Sequence, residues 1–205
     1  MARKIIVIGS GAAGMTAAST AKEKDPSAEI MVFTEDEDIA YSPCAIPWGI
    51  EGKSAWTDIV MHTPDFYENE RGIRVFTKTR VESVDDAAKT VVAGGVSYPY
   101  DSLVIATGGR VFVPPIAGAD LGNVFIVRTV RNGKDIQAAL EDTDKVVIGG
   151  AGVIGLELAV SLKEMGKDVT VIEMMDQVIP RIADKDMADV IQGHLESKGI
   201  EFVMK

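Results

Sequence analysis

The sequence predicts an α/β protein made of two βαβ units with a small antiparallel flap between them. Three observations carry that expectation. An apolar, β-branched run from Lys4 to Ile8 leads into Gly9-Ser10-Gly11-Ala12-Ala13-Gly14. The same arrangement returns about 140 residues later, where Lys145 to Ile148 leads into Gly149-Gly150-Ala151-Gly152-Val153-Ile154-Gly155. Between the two, short β-rich stretches alternate with turn residues, as hairpins require.

In chain order, Lys4 to Ile8 reads as a buried strand. After the glycines, Ala17, Ala18 and Ser19 give the small face of a helix pressed on a sheet, and Asp25-Pro26 ends it. Ile30 to Thr34 is a second strand, closing with Glu35. Residues 36–63 lack periodicity, hold Pro43, Pro47 and Gly49, and read as a loop-rich stretch. A short helix follows near Asp65 to Glu70. From Val75 to Tyr100 the pattern breaks into small strands, Val81 to Val84, Thr90 to Val92 and Val96 to Tyr100. Leu103 to Ile105 is another buried strand, followed by Ala106-Thr107-Gly108-Gly109. Pro114-Pro115 and Gly118 to Gly122 form a linker, which divides the chain into domains 1–115 and 116–205. In the second domain Lys145 to Ile148, Val169 to Ile172 and Glu201 to Met204 are strands, and Leu156 to Lys163 and Ala183 to Lys198 are helices.

Composition narrows the function. Of 205 residues, 46% are apolar and 25% charged, enough for a packed core. A net charge of −10 disfavours nucleic acid and anionic lipid as partners. Cys44 is the only cysteine, which excludes an intrachain disulfide or a thiolate metal cluster and fits a reducing cytoplasm. His62 and His194 lack ligand spacing, so no metal site is expected. No apolar stretch is long enough for a membrane span, and Ile5 to Ile8 is too short for the core of a signal peptide.

Each glycine turn lies between a buried strand and a helix, the context that gives the motif its meaning. The first glycine permits the tight turn, the second lets backbone approach a diphosphate, and the third allows close helix-to-strand packing. A diphosphate would then sit at the positive end of the helix. Glu35 lies 21 residues after Gly14 and Glu173 lies 18 after Gly155. Each is placed to accept hydrogen bonds from an adenosine ribose, and Glu173, followed by Met174 and Met175 rather than a basic residue, argues for NAD(H) over its 2′-phosphorylated form. Two such sites imply two Rossmann-like (FAD/NAD(P)-binding) βαβ domains and a hydride relay, for which a flavin is the natural receiver. Cys44 follows in Ala40-Tyr41-Ser42-Pro43-Cys44-Ala45-Ile46-Pro47, beyond the carboxyl end of a strand where ligand crevices form.

These motifs together resemble the pyridine nucleotide-disulfide oxidoreductases, and within them the single-cysteine branch of coenzyme A-disulfide reductases, NADH oxidases, NADH peroxidases and sulfur reductases. The resemblance implies FAD at the first site, with Gly9, Gly11, Ala13 and Gly14 at its diphosphate and Glu35 at its ribose. Ser42, Pro43 and the redox-active Cys44 would sit beside the flavin ring, Val81 at the adenine end, and Ala106, Thr107 and Gly108 along the cofactor, with Arg128 a further candidate. It implies NAD(H) at the second site through Gly150, Gly152, Ile154, Gly155 and Glu173, with Glu157 near the nicotinamide.

Three departures matter. Two-cysteine relatives carry a second cysteine where this chain has Gly49, so Cys44 must cycle against an external sulfur as a mixed disulfide, a persulfide or a sulfenic acid. Several relatives have serine where this chain has Ala40. Family members are also much longer, so the resemblance implies a chain that stops inside the second domain, a full-length homodimer, and a fragment that is itself inactive or binds cofactor poorly. The expected activity is NADH-dependent reduction of a disulfide, persulfide or polysulfide, with coenzyme A as a candidate partner and Lys22 and Lys24 as candidate contacts to its phosphates. Left open are an NADH oxidase or peroxidase working through a Cys44 sulfenic acid, a reductase of a small iron–sulfur carrier, and a non-catalytic nucleotide-binding module.

Overall fold

In the computed structural model, which describes residues 2–205, the elements run β1 (Lys4–Ile8), α1 (Ala12–Lys24), β2 (Glu29–Phe33), α2 (Ile46–Glu51), α3 (Trp56–Ile59), α4 (Pro64–Arg71) and β3 (Ile73–Phe76). They continue with β4 (Val81–Asp85), β5 (Thr90–Ala93), β6 (Val96–Pro99), β7 (Ser102–Ile105), α5 (Val130–Ala139), β8 (Lys145–Gly149), α6 (Val153–Glu164), β9 (Asp168–Glu173), α7 (Lys185–Ser197) and β10 (Glu201–Met204). The chain divides into two compact units. One holds residues through Ser42 together with Trp56–Phe112, the other Pro43–Ala55 together with Val113–Lys205.

In the first unit a parallel sheet has the order β3-β2-β1-β7. The register sets Ile6 beside Met31 and Leu103, and Val32 beside Val75. A parallel sheet is covered on both faces, which is why β1 and β2 are apolar almost throughout. Ile5, Val7, Ile30, Val32 and Ile73 point to one face, in one core with Met15 and Ala18 of α1 and Tyr67 of α4. Ile6, Ile8, Met31 and Phe33 point to the other, in a second core with Val91, Ala93 and Tyr100. The antiparallel sheet β4-β5-β6 supplies that second cover, and the Phe33 ring stacks on Phe76 at 4.8 Å. The expected flap is present, with one correction: Val75 belongs to β3, a strand of the parallel sheet, because its partner is Val32.

In the second unit the parallel order is β10-β9-β8. Leu156, Leu158, Ala159 and Leu162 of α6 are buried. On the sheet, Val169 and Val171 are buried, while Val147 (65% exposed) and Val203 (56%) lie open. The stretch 36–63, read from sequence as loop, contains a 3₁₀ turn (Pro43–Ala45) and the short helices α2 and α3. Ile46, Pro47, Gly49 and Ile50 of α2 are buried, and α2 packs on α5 and α6. Helix α5 starts at a capping box: the Thr129 side chain accepts from the Asn132 amide, and Asn132 Oδ1 accepts from the Thr129 amide.

Candidate functional sites: two glycine turns and a cysteine

Both glycine turns take the same shape. Gly9 (φ +107°) and Gly150 (φ +105°) occupy a backbone region open to glycine alone without strain. Their amides donate across the sheet, Gly9 to the Phe33 carbonyl and Gly150 to that of Ile172, both at 2.8 Å. A Cβ on Gly14 would collide with the Gly9 carbonyl oxygen, and one on Gly155 with that of Gly150. These third glycines let helix and strand approach. The middle glycines behave differently, since a Cβ on Gly11 or Gly152 would meet nothing within 4 Å. Gly11 and Gly152 are the N-caps of α1 and α6, and neither cap has a side-chain bond to the helix amides. Such a helix start offers N–H groups and the positive dipole end to an anion, with open space above the backbone. The residues present therefore fit a diphosphate at each turn.

Around the first turn the chain brings together most of the residues singled out for FAD. The Ala106 amide donates to Ile8 O at 2.8 Å, and the Ala106 carbonyl lies so close to Gly9 that a Cβ there would strike it. Thr107 and Gly108 (φ +67°) follow at the surface, and Ala13 is exposed in the first turn of α1. This places the glycine turn and the Ala106–Gly108 segment side by side at the carboxyl ends of β1 and β7, where an open α/β sheet forms its crevice. Glu35 lies past the end of β2, with Oε2 3.7 Å from Arg80 Nη1. Arg80 precedes Val81, so Glu35 and the start of β4 are neighbours. The Ala40 amide donates to Ser10 O at 3.1 Å, and the Ser42 amide to Ile59 O at 3.4 Å. The segment leading to the cysteine is thus anchored on the first glycine turn. Ala40 itself has φ +49°.

Around the second turn, Ala151 is buried and both its backbone groups are held. Its amide donates to Glu173 Oε2 at 2.9 Å, and its carbonyl accepts from the Ile179 amide at 2.8 Å. The other Glu173 oxygen accepts from the Met175 amide at 3.0 Å. Partial burial opposes the charge on Glu173, but the backbone donors outweigh it and hold the carboxyl below its ordinary range. Ile154 and Glu157 are exposed on the first turns of α6.

Pro43 and Cys44 belong to the second unit and are exposed in the 3₁₀ turn, and the thiol is free. Arg128 is exposed there too, just before the Thr129 cap. His62 is exposed and stacks on Phe66 at 4.0 Å, and no cluster of metal-ligating side chains occurs among the described residues. Sequence reasoning gives no element between the linker and β8. The Thr129-x-x-Asn132 box with Val130, Ile136 and Leu140 on one face is the signal that would have placed α5 there.

The family model for pyridine nucleotide-disulphide oxidoreductases matches residues 3–205. The chain belongs to this family. An NADH oxidase of Methanocaldococcus jannaschii is 47% identical, over 98% of this chain and 47% of that protein. An NAD(P)H coenzyme A polysulfide/persulfide reductase of Pyrococcus horikoshii is 34% identical, over 96% of this chain and 45% of its own length. The structure of an NAD-dependent persulfide reductase from A. fulgidus superposes with a TM-score of 0.92 at 35% identity, over 98% of this chain and 39% of that one. The chain spans about half the length of the curated relatives it matches. The α/β architecture with its three-stranded antiparallel sheet is the one expected from sequence.

Proposed function

We propose that this chain carries the two nucleotide sites and the redox cysteine of an FAD- and NADH-dependent reductase of disulfides, persulfides or polysulfides. The observation that carries the reading is the tie between Ala40 and Ser10: the segment that delivers a free, exposed thiol is anchored on the first glycine turn. Residues 1–115 form the FAD-binding part and 116–205 the NAD-binding part. Gly9, Gly11, Ala13, Gly14, Glu35, Ser42, Pro43, Val81, Ala106, Thr107, Gly108 and Arg128 serve FAD, and Gly150, Gly152, Ile154, Gly155, Glu157 and Glu173 serve NADH. The anionic Glu173 accepts from ribose hydroxyls and repels a 2′-phosphate.

Bound FAD would take the hydride of NADH and supply the electron pair that reopens an oxidised Cys44. The chain's own part is nucleophilic. The Cys44 thiolate attacks one sulfur of R–S–S–R′, the S–S bond breaks, R′–S⁻ leaves and takes a proton, and a Cys44–S–S–R mixed disulfide remains. Position 49, where two-cysteine relatives carry the resolving thiol, is glycine, so that bond is reopened by two electrons, and RSH leaves. The sum is NADH + H⁺ + RSSR′ giving NAD⁺ + RSH + R′SH. Coenzyme A disulfide and polysulfide are the substrates to try first, a choice supported by the printed name of the Pyrococcus relative. The full-length protein is expected to be a cytoplasmic homodimer. No helix among the described residues is long and apolar enough to cross a membrane.

The deciding experiment replaces Cys44 by serine in the full-length protein. NADH-dependent reduction of coenzyme A disulfide should fall at least about 100-fold, while NADH-to-ferricyanide turnover stays within about twofold. Undiminished disulfide reduction removes the assignment. A second reading, reduction of oxygen, is favoured by the 47% identical relative named NADH oxidase. Oxygen consumption that exceeds anaerobic disulfide turnover would select it.

A further inference from the structure

We propose that Gln137 is a positioning residue for Cys44, acting through the far end of α2; the proposal rests on the reading of Cys44 as the redox centre. Cys44 lies in the turn Pro43–Ala45 that runs directly into α2, and Ala45 is the helix N-cap. Helix α2 has six residues, too few to hold its own shape in water. Its position is set by what grips it. Ile46 and Ile50 are buried almost completely, in the faces that meet α5 and α6. Burial fixes depth but leaves sliding and tilt soft, because apolar contact is not directional.

The directional contacts lie at the other end. The last carbonyls of a helix lack intrahelical donors. Here the Gly49 carbonyl accepts from Gln137 Nε2 at 2.9 Å and from the Gly52 amide at 3.1 Å, and the Ile50 carbonyl accepts from Gln137 Nε2 at 3.2 Å. A half-buried side chain of α5 thus bridges two successive carbonyls of α2. Its own helix is a firm base, started by the Thr129–Asn132 box and held by buried Val130, Ile136 and Leu140. A lysine nearby adds a second tie: Lys53 Nζ lies 2.6 Å from Oε1 of Glu51, whose side chain is buried, and also pairs with the exposed Glu164 of α6.

The geometry makes α2 a short lever. Six residues at about 1.5 Å each give roughly 9 Å, so a tilt of about 10° at the Gln137 end moves the cysteine end by about 1.5 Å. A displacement of about 1 Å in a reacting group can cost on the order of 100-fold in rate. Gln137 therefore acts through α2, and it governs where the thiol sits.

The test uses the full-length, FAD-loaded protein with two variants. Gln137→Leu keeps the volume and removes the donor. Gln137→Glu is isosteric and, ionised at pH 8, turns an anionic oxygen on two carbonyls. The readouts are the rate of Cys44 alkylation by iodoacetamide and kcat for coenzyme A disulfide, each as a ratio to wild type at the same pH. Gln137→Leu should change the alkylation rate at least about fivefold and lower kcat about tenfold, with KM for NADH within about twofold. Gln137→Glu should match Gln137→Leu at pH 8. Wild-type alkylation in Gln137→Leu, or in Gln137→Glu at pH 8, overturns the proposal. The alkylation readout is independent of the acceptor. A Cys44→Ser protein that still reduces disulfide sinks the functional reading, whereas unaltered alkylation in Gln137→Leu sinks the positioning role.

Discussion

Replacing Gly155 by alanine puts a Cβ against backbone that cannot yield, and the structure lets the cost be worked out. The new methyl would overlap the Gly150 carbonyl oxygen and stand 3.3 Å from its carbon and 3.4 Å from Ile148 Cγ2. Relief requires α6 to withdraw from β8 by about 1 Å, which opens its packing on Leu156 and Ala159; overpacking of this kind costs about 1–3 kcal/mol, and backbone contact argues for the upper end. For a chain of this size each kcal/mol is about 2–4 °C in Tm, so a loss of roughly 6–12 °C is expected. Gly152→Ala is the matched control. At φ −76° alanine is unstrained and its Cβ meets nothing within 4 Å. Alanine is a poorer N-cap than glycine by a few tenths to about 1 kcal/mol, and the loss of chain entropy on folding is smaller by about 0.4–1, so the two offset and Tm should stay within about 2 °C. The same methyl occupies the space offered to a diphosphate, so NADH affinity should fall at least tenfold. Melting by circular dichroism and NADH titration on the full-length variants separate the two effects. A Gly155→Ala protein that melts with the wild type, or a Gly152→Ala protein that binds NADH unchanged, refutes the division of labour between the glycines.

Three further outcomes follow from particular contacts. Glu173 has a depressed pKa in the folded chain, so its contribution to stability is present above the ordinary glutamate value of 4.5 and is lost as pH falls through the folded value. Glu173→Gln should therefore show a smaller drop in Tm between pH 7 and pH 3.5 than wild type; equal drops would refute the role of its backbone donors. Lys53→Met removes an exposed pair with Glu164 and leaves the Glu51 carboxylate, whose side chain is only 8% exposed, without its cation, so the loss should reach about 1–3 kcal/mol and shrink only in part in 1 M NaCl; a loss below about 1 kcal/mol that salt abolishes would contradict the burial of that pair. Thr129→Ala removes one arm of the α5 capping box and should cost about 1 kcal/mol, or about 2–4 °C in Tm; an unchanged melting point would mean that packing alone starts α5.

Much of this architecture was legible because its signals are local. A β-branched run followed by spaced glycines and a small-faced helix describes a βαβ unit without reference to the rest of the chain, and β1, α1, β8 and α6 fall where those patterns lie. What escaped depends on distant partners. The residues of α2 show no helical period, since Pro47 and Gly49 interrupt it, and the helix is held by α5 and α6, elements more than 75 residues further along the chain. Val75 looks like the start of the flap until its pairing with Val32 is known. Gln137 carries no motif at all: a glutamine that bonds backbone carbonyls leaves no trace in the pattern of apolar positions. Gly9, Gly14, Gly150 and Gly155 were legible for the opposite reason, because a positive φ or a backbone carbonyl in the way restricts each of them to glycine.

The two turns also show which features belong to the motif and which to its surroundings. Gly9 and Gly150 share φ to within two degrees, the cross-sheet hydrogen bonds have the same length, and each third glycine abuts the first glycine's carbonyl. Those properties recur because three glycines and one strand pairing are enough to impose them. The surroundings differ. A Cβ on Gly9 would strike the Ala106 carbonyl, whereas one on Gly150 would meet nothing within 4 Å. The first turn is therefore closed on one side by the strand that follows the flap, and the second is open there among the described residues. Ala151 compensates in part: the side chain of Glu173, at the end of β9, and the Ile179 amide beyond that strand hold its two backbone groups. The same backbone trap for a diphosphate is thus braced by a sheet in one unit and by a carboxylate in the other. Acid should accordingly weaken the second turn, because protonation of Glu173 takes away the charge to which the Ala151 and Met175 amides donate.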